Sequence, residues 1–349
     1  MIKKLTAIMM GFTVMAGVLS GCSGNAAQSS QAPAPKEASM SAQTSAEEAQ
    51  TDSTTDWPTK TVQVVVTASA GGDTDFNART FATYFEKYTG KSMVITNTPG
   101  GGGSVATSEV KNAKNDGYKI LFCHTGQMIV NEVAGLIDYN MDDFDIAGIP
   151  AIDKGTVLVA SAQSGITSID DLVAKAKTQP GKISYASELG GYSHLQALIL
   201  MKQADIELKI LDIGSSSEKI TNLLGGRVDL AAISYGAVKD YAETGDLVIL
   251  GQYNNERNEN LGDVPTFKES NLNVAMEKPY IISFPKGTDP AIIEKMNALT
   301  EQIAADEDYK KDLLEGYKQP VDYLLKDDAI ALLKTTRDDF MSYREDLLK

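Results

Sequence analysis

The sequence predicts an α/β fold made of doubly wound sheets. Short β-branched runs such as Val62 to Thr67 are each followed by a turn rich in small residues and then by a segment with helical spacing. The turns carry residues that commonly begin helices, and glycines such as Gly90 follow the expected helix ends. Strands and helices that alternate in this way form parallel sheets with helices on both faces.

The N-terminal part of the chain has the features of an export signal and a tether. Residues 1–22 carry two lysines and an apolar stretch shorter than the roughly 20 residues that span a bilayer. Leu19-Ser20-Gly21-Cys22 resembles the bacterial lipobox, so we expect a lipid on Cys22 to anchor the protein on the outer side of the cell membrane. Residues 23–56 contain no aromatic residue and no Val, Ile or Leu, which predicts a disordered linker.

Composition and motifs argue against several classes of function. The net charge of −15 is unsuited to a nucleic-acid partner. With Cys22 lipidated, Cys123 has no disulfide partner and is expected to be a small core residue. The sequence contains two histidines, His124 and His194, and lacks both a clustered zinc motif and a Gly-x-Ser-x-Gly nucleophile motif. We therefore expect no enzymatic activity, no metal and no cofactor.

The strand–turn–helix units follow one another from Trp57 onward. Strands are predicted at 62–67, 93–96, 118–123, 156–160, 183–186, 208–213 and 228–233, each with a helix after it. In doubly wound sheets, ligands bind beyond the carboxyl ends of the strands, where helix N-termini attract anions. Several of these corners combine glycine with hydroxyl groups, although each one alone is also typical of an ordinary tight turn.

These corners predict a pocket for a small carboxylate-bearing ligand, held mainly by backbone amides and hydroxyls, because the corners themselves carry almost no lysine or arginine. Arg79 lies about one helical turn beyond the first corner and is expected to point away from the cleft. The candidate ligand-binding residues are Ala70, Gly71, Gly72, Asp73, Thr74, Asp75, Thr125, Gly126, Gly190, Gly191, Tyr192, Ser193, His194, Gly214, Ser215, Ser216 and Tyr235. Asp73 and Asp75 are expected to cap the first helix, and Tyr192 and Tyr235 are either pocket walls or ordinary packing residues.

An ordered set of short motifs resembles one family of binding proteins. The motifs include Trp57-Pro58-Thr59-Lys60, Gly71-Gly72-Asp73-Thr74-Asp75 with Ala78-Arg79, Asn97 to Gly103, Asp116-Gly117-Tyr118, Ser193-His194-Leu195, Leu223 to Asp229 and Asp263-Val264-Pro265-Thr266. Together they resemble the extracytoplasmic receptors of tripartite tricarboxylate transporters, the Bug or TctC-like family. Ala68-Ser69-Ala70, Leu211 to Gly214 and Ser234-Tyr235 depart from the family pattern, so tricarboxylate specificity is not carried over.

The resemblance implies a two-lobed fold of the type II periplasmic-binding-protein kind, with the ligand in a cleft between lobes that close around it. We expect residues 57–147 and 250–349 to form the first lobe and residues 148–249 the second. The implied partners are a small organic acid and the large and small membrane subunits of an ion-driven transporter, with the receptor itself a monomer. A sensory receptor that presents its solute to a signalling protein is the alternative function.

Overall fold

The computed structural model describes residues 55–348 of the chain. The predicted signal peptide, the lipidation site at Cys22 and nearly all of the predicted linker lie outside these residues. No helix between residues 55 and 348 is long and apolar enough to cross a membrane.

The first sheet contains six strands in the order β11-β4-β10-β3-β1-β2. β1, β2 and β3 are parallel to one another. β10 is antiparallel to β3 and β4, and β11 is antiparallel to β4. The strands are β1 (Val62–Val66), β2 (Met93–Asn97), β3 (Lys119–His124), β4 (Phe144–Asp153), β10 (Lys278–Pro285) and β11 (Leu324–Leu325).

The second sheet contains five strands in the order β7-β6-β8-β5-β9. β6 is parallel to β7 and β8, whereas β5 is antiparallel to β8 and β9. The strands are β5 (Thr156–Ser161), β6 (Ser184–Ser187), β7 (Lys209–Asp212), β8 (Leu230–Ser234) and β9 (Leu247–Gln252). Every residue of β5 and β8 is buried, because helices cover this sheet as they cover the first.

Helices surround both sheets and mostly begin and end where the sequence predicts. Gly90 ends the first helix in a left-handed conformation with φ 67°, and Ser168 caps α4 by accepting a hydrogen bond from Asp171 N. The helices are α1 (Asp73–Thr89), α2 (Ser104–Lys111), α3 (Asn131–Val133), α4 (Ile169–Thr178), α5 (Tyr192–Ala204), α6 (Ser216–Leu224), α7 (Lys239–Glu243), α8 (Pro290–Ala304), α9 (Glu307–Tyr317), α10 (Lys326–Met341) and α11 (Arg344–Leu347).

The sheets are mixed, which corrects the expectation of parallel sheets. The chain passes from the first sheet to the second between Asp153 and Thr156, and returns between Gln252 and Lys278. A strand that begins at a crossover is antiparallel to the strands beside it. Thr156, at the start of β5, for example pairs with Ser234, at the end of β8. The proposed lobe boundaries, after residues 147 and 249, lie within β4 and β9.

Candidate functional site

A cavity of about 300 Å³ lies between the two sheets, at the carboxyl ends of their parallel strands. From the first sheet, the segments after β1, β2 and β3 line it; from the second, the segments after β6 and β7 and the carboxyl end of β8 do so. Thr156, at the start of β5, and Lys278, at the start of β10, complete the lining. This is the place where α/β sheets bind ligands.

Most of the residues predicted from the glycine-containing corners line this cavity. They come from four separate turns, one of which is Gly214 to Ser216, and the fold brings all four together. The predicted residues in the lining are Ala70, Gly72, Asp73, Thr74, Gly126, Gly191, Tyr192, Ser193, Gly214, Ser215 and Ser216.

Gly71 and Asp75, two residues predicted from the first corner, do not line the cavity. Asp75 is buried, and its carboxylate accepts hydrogen bonds from Gly71 N at 2.8 Å and from Asn97 Nδ2 at 2.9 Å. Arg79 Nε lies 2.9 Å from Asp75 Oδ1, and its side chain is 52% exposed. Asp75 therefore fixes the turn and holds Arg79 outside the cavity, so this arginine is not available to a ligand there.

Four more predicted residues support the site without lining it. Thr125 is buried directly before the helical turn that starts at Gly126. Gly190 packs against Leu136, and its N–H donates to His194 Nδ1 at 3.1 Å. Tyr235 lies in the turn after β8, where its N–H donates to Gly155 O at 2.8 Å. Each of these residues is the chain neighbour of a residue that lines the cavity.

Helix N-termini point at the cavity from both sheets. α1, α2 and α5 begin after Gly72, Gly103 and Gly191, and none of the three has a side-chain cap. Asp73 and Asp75 lie within α1 and do not cap it, contrary to expectation. Glycine leaves the first amides of each helix open to a bound group, and these amides carry the positive end of the helix dipole.

Lys278, which the sequence did not single out, forms a buried ion network at the base of the cavity. Its ammonium pairs with Asp73 and lies 3.0 Å from Asp153 Oδ2. Tyr280 Oη also donates to Asp73, at 2.8 Å. Burial by itself would lower the pKa of Lys278, but the two carboxylates raise it above its usual value. Asp73 is therefore already used as an acceptor, and the charge of Lys278 is already neutralised.

Lys219, in the second turn of α6, is the other lysine in the lining and has a different environment. Its side chain is buried, and its Nζ donates to Ser193 Oγ at 2.9 Å. No carboxylate in residues 55–348 forms an ion pair with it, although Glu188 attracts it from a greater distance. Burial lowers the pKa of Lys219 to about 8. The predicted turns themselves carry no cation, but Lys219 and Lys278 reach the cavity from α6 and β10. The ammonium of Lys219 has unused capacity to bind an anion.

Buried amide groups in the lining also have unused hydrogen-bonding capacity. Gln196, 1% exposed on α5, has no partner for Nε2 within the described residues. Asn131, fully buried at the start of α3, donates from Nδ2 to Gly102 O at 2.8 Å, while its Oδ1 has no partner there. Such groups are costly to bury unsatisfied, so they point to hydrogen bonds with a ligand or with water.

Aromatic contacts join the two sides of the cavity. The rings of His124, from the first sheet, and Tyr192, from α5, lie 5.4 Å apart in an edge-on arrangement. Tyr192 Oη donates to Glu277 O at 2.9 Å, on the segment that returns to the first sheet. Burial lowers the pKa of His124 to about 3, so this side chain is neutral at physiological pH. The predicted Tyr192 is therefore both a wall of the cavity and a contact between its sides.

The described residues show no cluster of three or more His, Cys, Asp or Glu side chains that could hold a metal ion. Cys123 is buried at the end of β3, and burial raises the pKa of its thiol. A raised pKa keeps the thiol protonated, which suits a core residue better than a nucleophile.

Comparison with known proteins gives a consistent result. Residues 77–330 match the model of the tripartite tricarboxylate transporter family receptor. The UPF0065 protein in the tcbD-tcbE intergenic region of Pseudomonas sp. strain P51 is 29% identical over 270 residues, covering 75% of this chain and 78% of the relative.

Solved structures agree in fold. MatC from Rhodopseudomonas palustris with bound malate superposes with a TM-score of 0.72 at 22% identity, covering 84% of this chain and 100% of MatC. An R. palustris protein with adipate superposes with a TM-score of 0.75 at 23% identity, covering 83% of this chain and 98% of that protein. At these identities the likeness shows a shared two-lobed fold.

Proposed function

This chain belongs to the tripartite tricarboxylate transporter receptor family, and we propose that it captures a small organic anion outside the cytoplasm and delivers it to a membrane transporter. One observation carries the proposal: Lys219 is a buried ammonium without an ion-pair partner in the described chain, and it lines the cavity between the sheets. A carboxylate is the simplest group that satisfies it.

The surroundings of Lys219 favour a carboxylate over a larger anion. Ser193 Oγ accepts a hydrogen bond from Lys219 and can donate its own hydroxyl hydrogen to a ligand, while Gln196 offers an unpartnered N–H donor from the same helix, α5. The N-terminus of α5, after Gly191, adds amides and a positive dipole end. A volume of about 300 Å³ suits a small molecule. The malate and adipate in related folds are acids of this size, which is consistent with the proposal.

A library of organic acids tests this function. Each acid is compared with its neutral primary amide in a thermal-shift assay, because a ligand that binds only the folded state raises the melting temperature. We expect one or a few acids to raise it while their amides do not. A shift produced only by uncharged or cationic compounds would contradict the proposal.

Delivery to a transporter is a proposal that rests on family membership. We expect uptake of the identified acid into cells or vesicles to need this receptor together with a large and a small membrane subunit. An ion gradient should drive that uptake. Uptake that is unchanged without the receptor, or that requires ATP, would count against it.

We also propose that a lipid on Cys22 tethers the folded part to the membrane. Cys22→Ala should move the protein from the membrane fraction to the medium or to the soluble extracytoplasmic fraction. Removing residues 23–54 should leave ligand affinity intact. Trp57 must stay, because it is buried and its Nε1 donates to Gly117 O at 3.0 Å. A Cys22→Ala variant that remains membrane-bound would refute the anchor.

A further inference from the structure

The two sides of the cleft also touch at the sheet edges farthest from the crossovers. β2 is an edge strand of the first sheet, and β7 is an edge strand of the second, with β6 beside it. The crossovers join β4 to β5 and β9 to β10. A groove at the outer edges is lined by Gly102 and Leu136 from the first side and by Glu188 and Leu189 from the second. Lobes rotate about their crossovers, so this mouth of the cleft opens furthest when the lobes separate.

An apolar contact crosses the mouth, where Leu136 packs on the backbone of Gly190. A Cβ added at Gly190 would lie only 2.8 Å from Leu136 Cδ1, so the leucine occupies the space that another side chain would need. Each partner is fixed on its own side. Leu136 N–H donates to Asn131 O at 2.8 Å, and Gly190 N–H donates to His194 Nδ1 at 3.1 Å. Neither Leu136 nor Gly190 lines the solute cavity, so their contact joins the two sides without involving a solute.

A polar contact lies beside the apolar one. Burial raises the pKa of Glu188, and a hydrogen bond from the Gly102 amide opposes that rise. Gly102 belongs to a run of four glycines, residues 100–103, in which every φ is positive, from 54° to 121°. Asn131 Nδ2 fixes this run by donating to Gly102 O at 2.8 Å, and Ser193 Oγ fixes the other side by accepting from the backbone N–H of Glu188 at 3.4 Å. Both turns are thus preformed, and little conformational freedom is lost when they meet.

We propose that Leu136 on Gly190 and Gly102 on Glu188 together form a latch, which holds the mouth of the cleft closed and sets how long a solute stays bound. The latch lies at the longest distance from the crossovers, where a contact opposes the whole rotation of the lobes. The inference deepens the proposed function, because it concerns release from the same cleft. Its contacts can nevertheless be measured without any solute.

Spin labels on the two edge strands measure closure of the mouth directly. Val94 on β2 and Lys209 on β7 are exposed, and both are replaced by cysteine in the full chain carrying Cys22→Ala. Cys123 is buried and stays unlabelled. In pulsed electron paramagnetic resonance of the solute-free protein, we expect a main population at the short distance of the closed cleft. Leu136→Ala should lower the ratio of closed to open protein at least about threefold.

Two further variants connect this change to the latch. Glu188→Ala should act in the same direction as Leu136→Ala, because it removes the polar half of the latch. Val105→Ala is the control and should leave the distances unchanged, since Val105 is similarly exposed, at 52%, but does not line the groove. Unchanged distances in folded Leu136→Ala and Glu188→Ala proteins would overturn the inference. A wild-type protein that shows only long distances would also overturn it.

Release of a solute gives a second measurement, with the acid that produces the largest shift in the thermal-shift library as the probe. Leu136→Ala should raise its dissociation rate at least about threefold and leave the association rate within about twofold, because the latch forms after the solute has entered. An unchanged dissociation rate would overturn the inference. If the distances respond as expected but no acid binds, the latch stands and the proposed function fails. If acids bind but the distances do not respond, the proposed function stands and the latch fails.

Discussion

Replacing Lys219 with methionine should stabilise the unliganded protein and weaken ligand binding at the same time. The pKa of Lys219 falls from its usual 10.5 to about 8, so keeping the buried side chain charged at neutral pH costs about 3 kcal/mol. Methionine has similar length and no charge. Loss of the hydrogen bond to Ser193 offsets about 1 kcal/mol of the stability gained by removing the charge. The net gain in the free energy of unfolding is therefore about 2 kcal/mol.

Binding should respond in the opposite direction. Removing the ammonium leaves a buried ligand carboxylate without its counter-ion, which costs about 2–5 kcal/mol, or roughly 30-fold or more in affinity. Urea titration measures the free energy of unfolding, and calorimetry measures the affinity for the acid found in the screen. Lys209→Met, which removes an exposed charge from β7 of the same sheet, should change neither.

The result that would refute this reasoning is a Lys219→Met protein that is less stable than the wild type and binds equally well. Lys219 would then be a structural residue, with its charge satisfied by the protein itself. A variant that is more stable and binds equally well would place the ligand carboxylate elsewhere in the cavity.

Three further predictions follow from the same contacts. Affinity measured by calorimetry should fall about tenfold per pH unit above pH ~8, because Lys219 of the free protein then loses the proton that the bound acid needs. An affinity that stays constant up to about pH 10 would contradict this prediction. Lys278→Met should lower the free energy of unfolding, measured by urea titration, by about 3–5 kcal/mol, because it leaves Asp73 and Asp153 buried without a cation. An unchanged midpoint of the urea unfolding curve would show that this ion network does not stabilise the fold. Gly72→Val should fold, because φ of Gly72 is −86° and an added Cβ would meet only one atom, at 3.6 Å. The larger side chain should obstruct the N-terminus of α1 and weaken ligand binding at least about tenfold. A normal affinity in calorimetry would show that this helix does not take part in binding.

The positions of the turns could be predicted from the sequence because their signals are local. A β-branched run, a glycine and a helical pattern fix where a strand ends and a helix begins, and Gly72, Gly126 and Gly191 all proved to lie at the cavity. The capping of α1 was mispredicted, because Asp73 is drawn into an ion pair with Lys278. Tertiary contact outweighed the local preference of aspartate for the cap.

The cationic side chains could not be predicted because they reach the site through the tertiary fold. Lys278 lies 205 residues from Asp73 along the chain and follows a crossover that carries no glycine-turn signal. Lys219 lies one turn inside α6, where a lysine is ordinarily exposed. A signal for it did exist: it is the one cation in the first two turns of the helix that follows Gly214 to Ser216. α1 also carries a cation in its first two turns, Arg79, but this side chain lies outside the cavity.

The directions of some strands also could not be predicted from the sequence. Strands β5 and β10 have the same apolar composition whichever way they run, and their direction follows from the two crossovers. The crossovers also place Thr156 and Lys278 at the cavity, although neither follows a predicted glycine turn. Cavity residues at the start of a strand, such as Thr156 and Lys278, can therefore be identified only once the topology is known.

A crystal structure of the protein with the acid identified in the screen tests the central claim most directly. We predict that the ligand lies between the two sheets, with a carboxylate oxygen within hydrogen-bond distance of Lys219 Nζ and near the N-terminus of α5. A ligand bound outside this cavity, or one that places a neutral or cationic group against Lys219, would contradict the account.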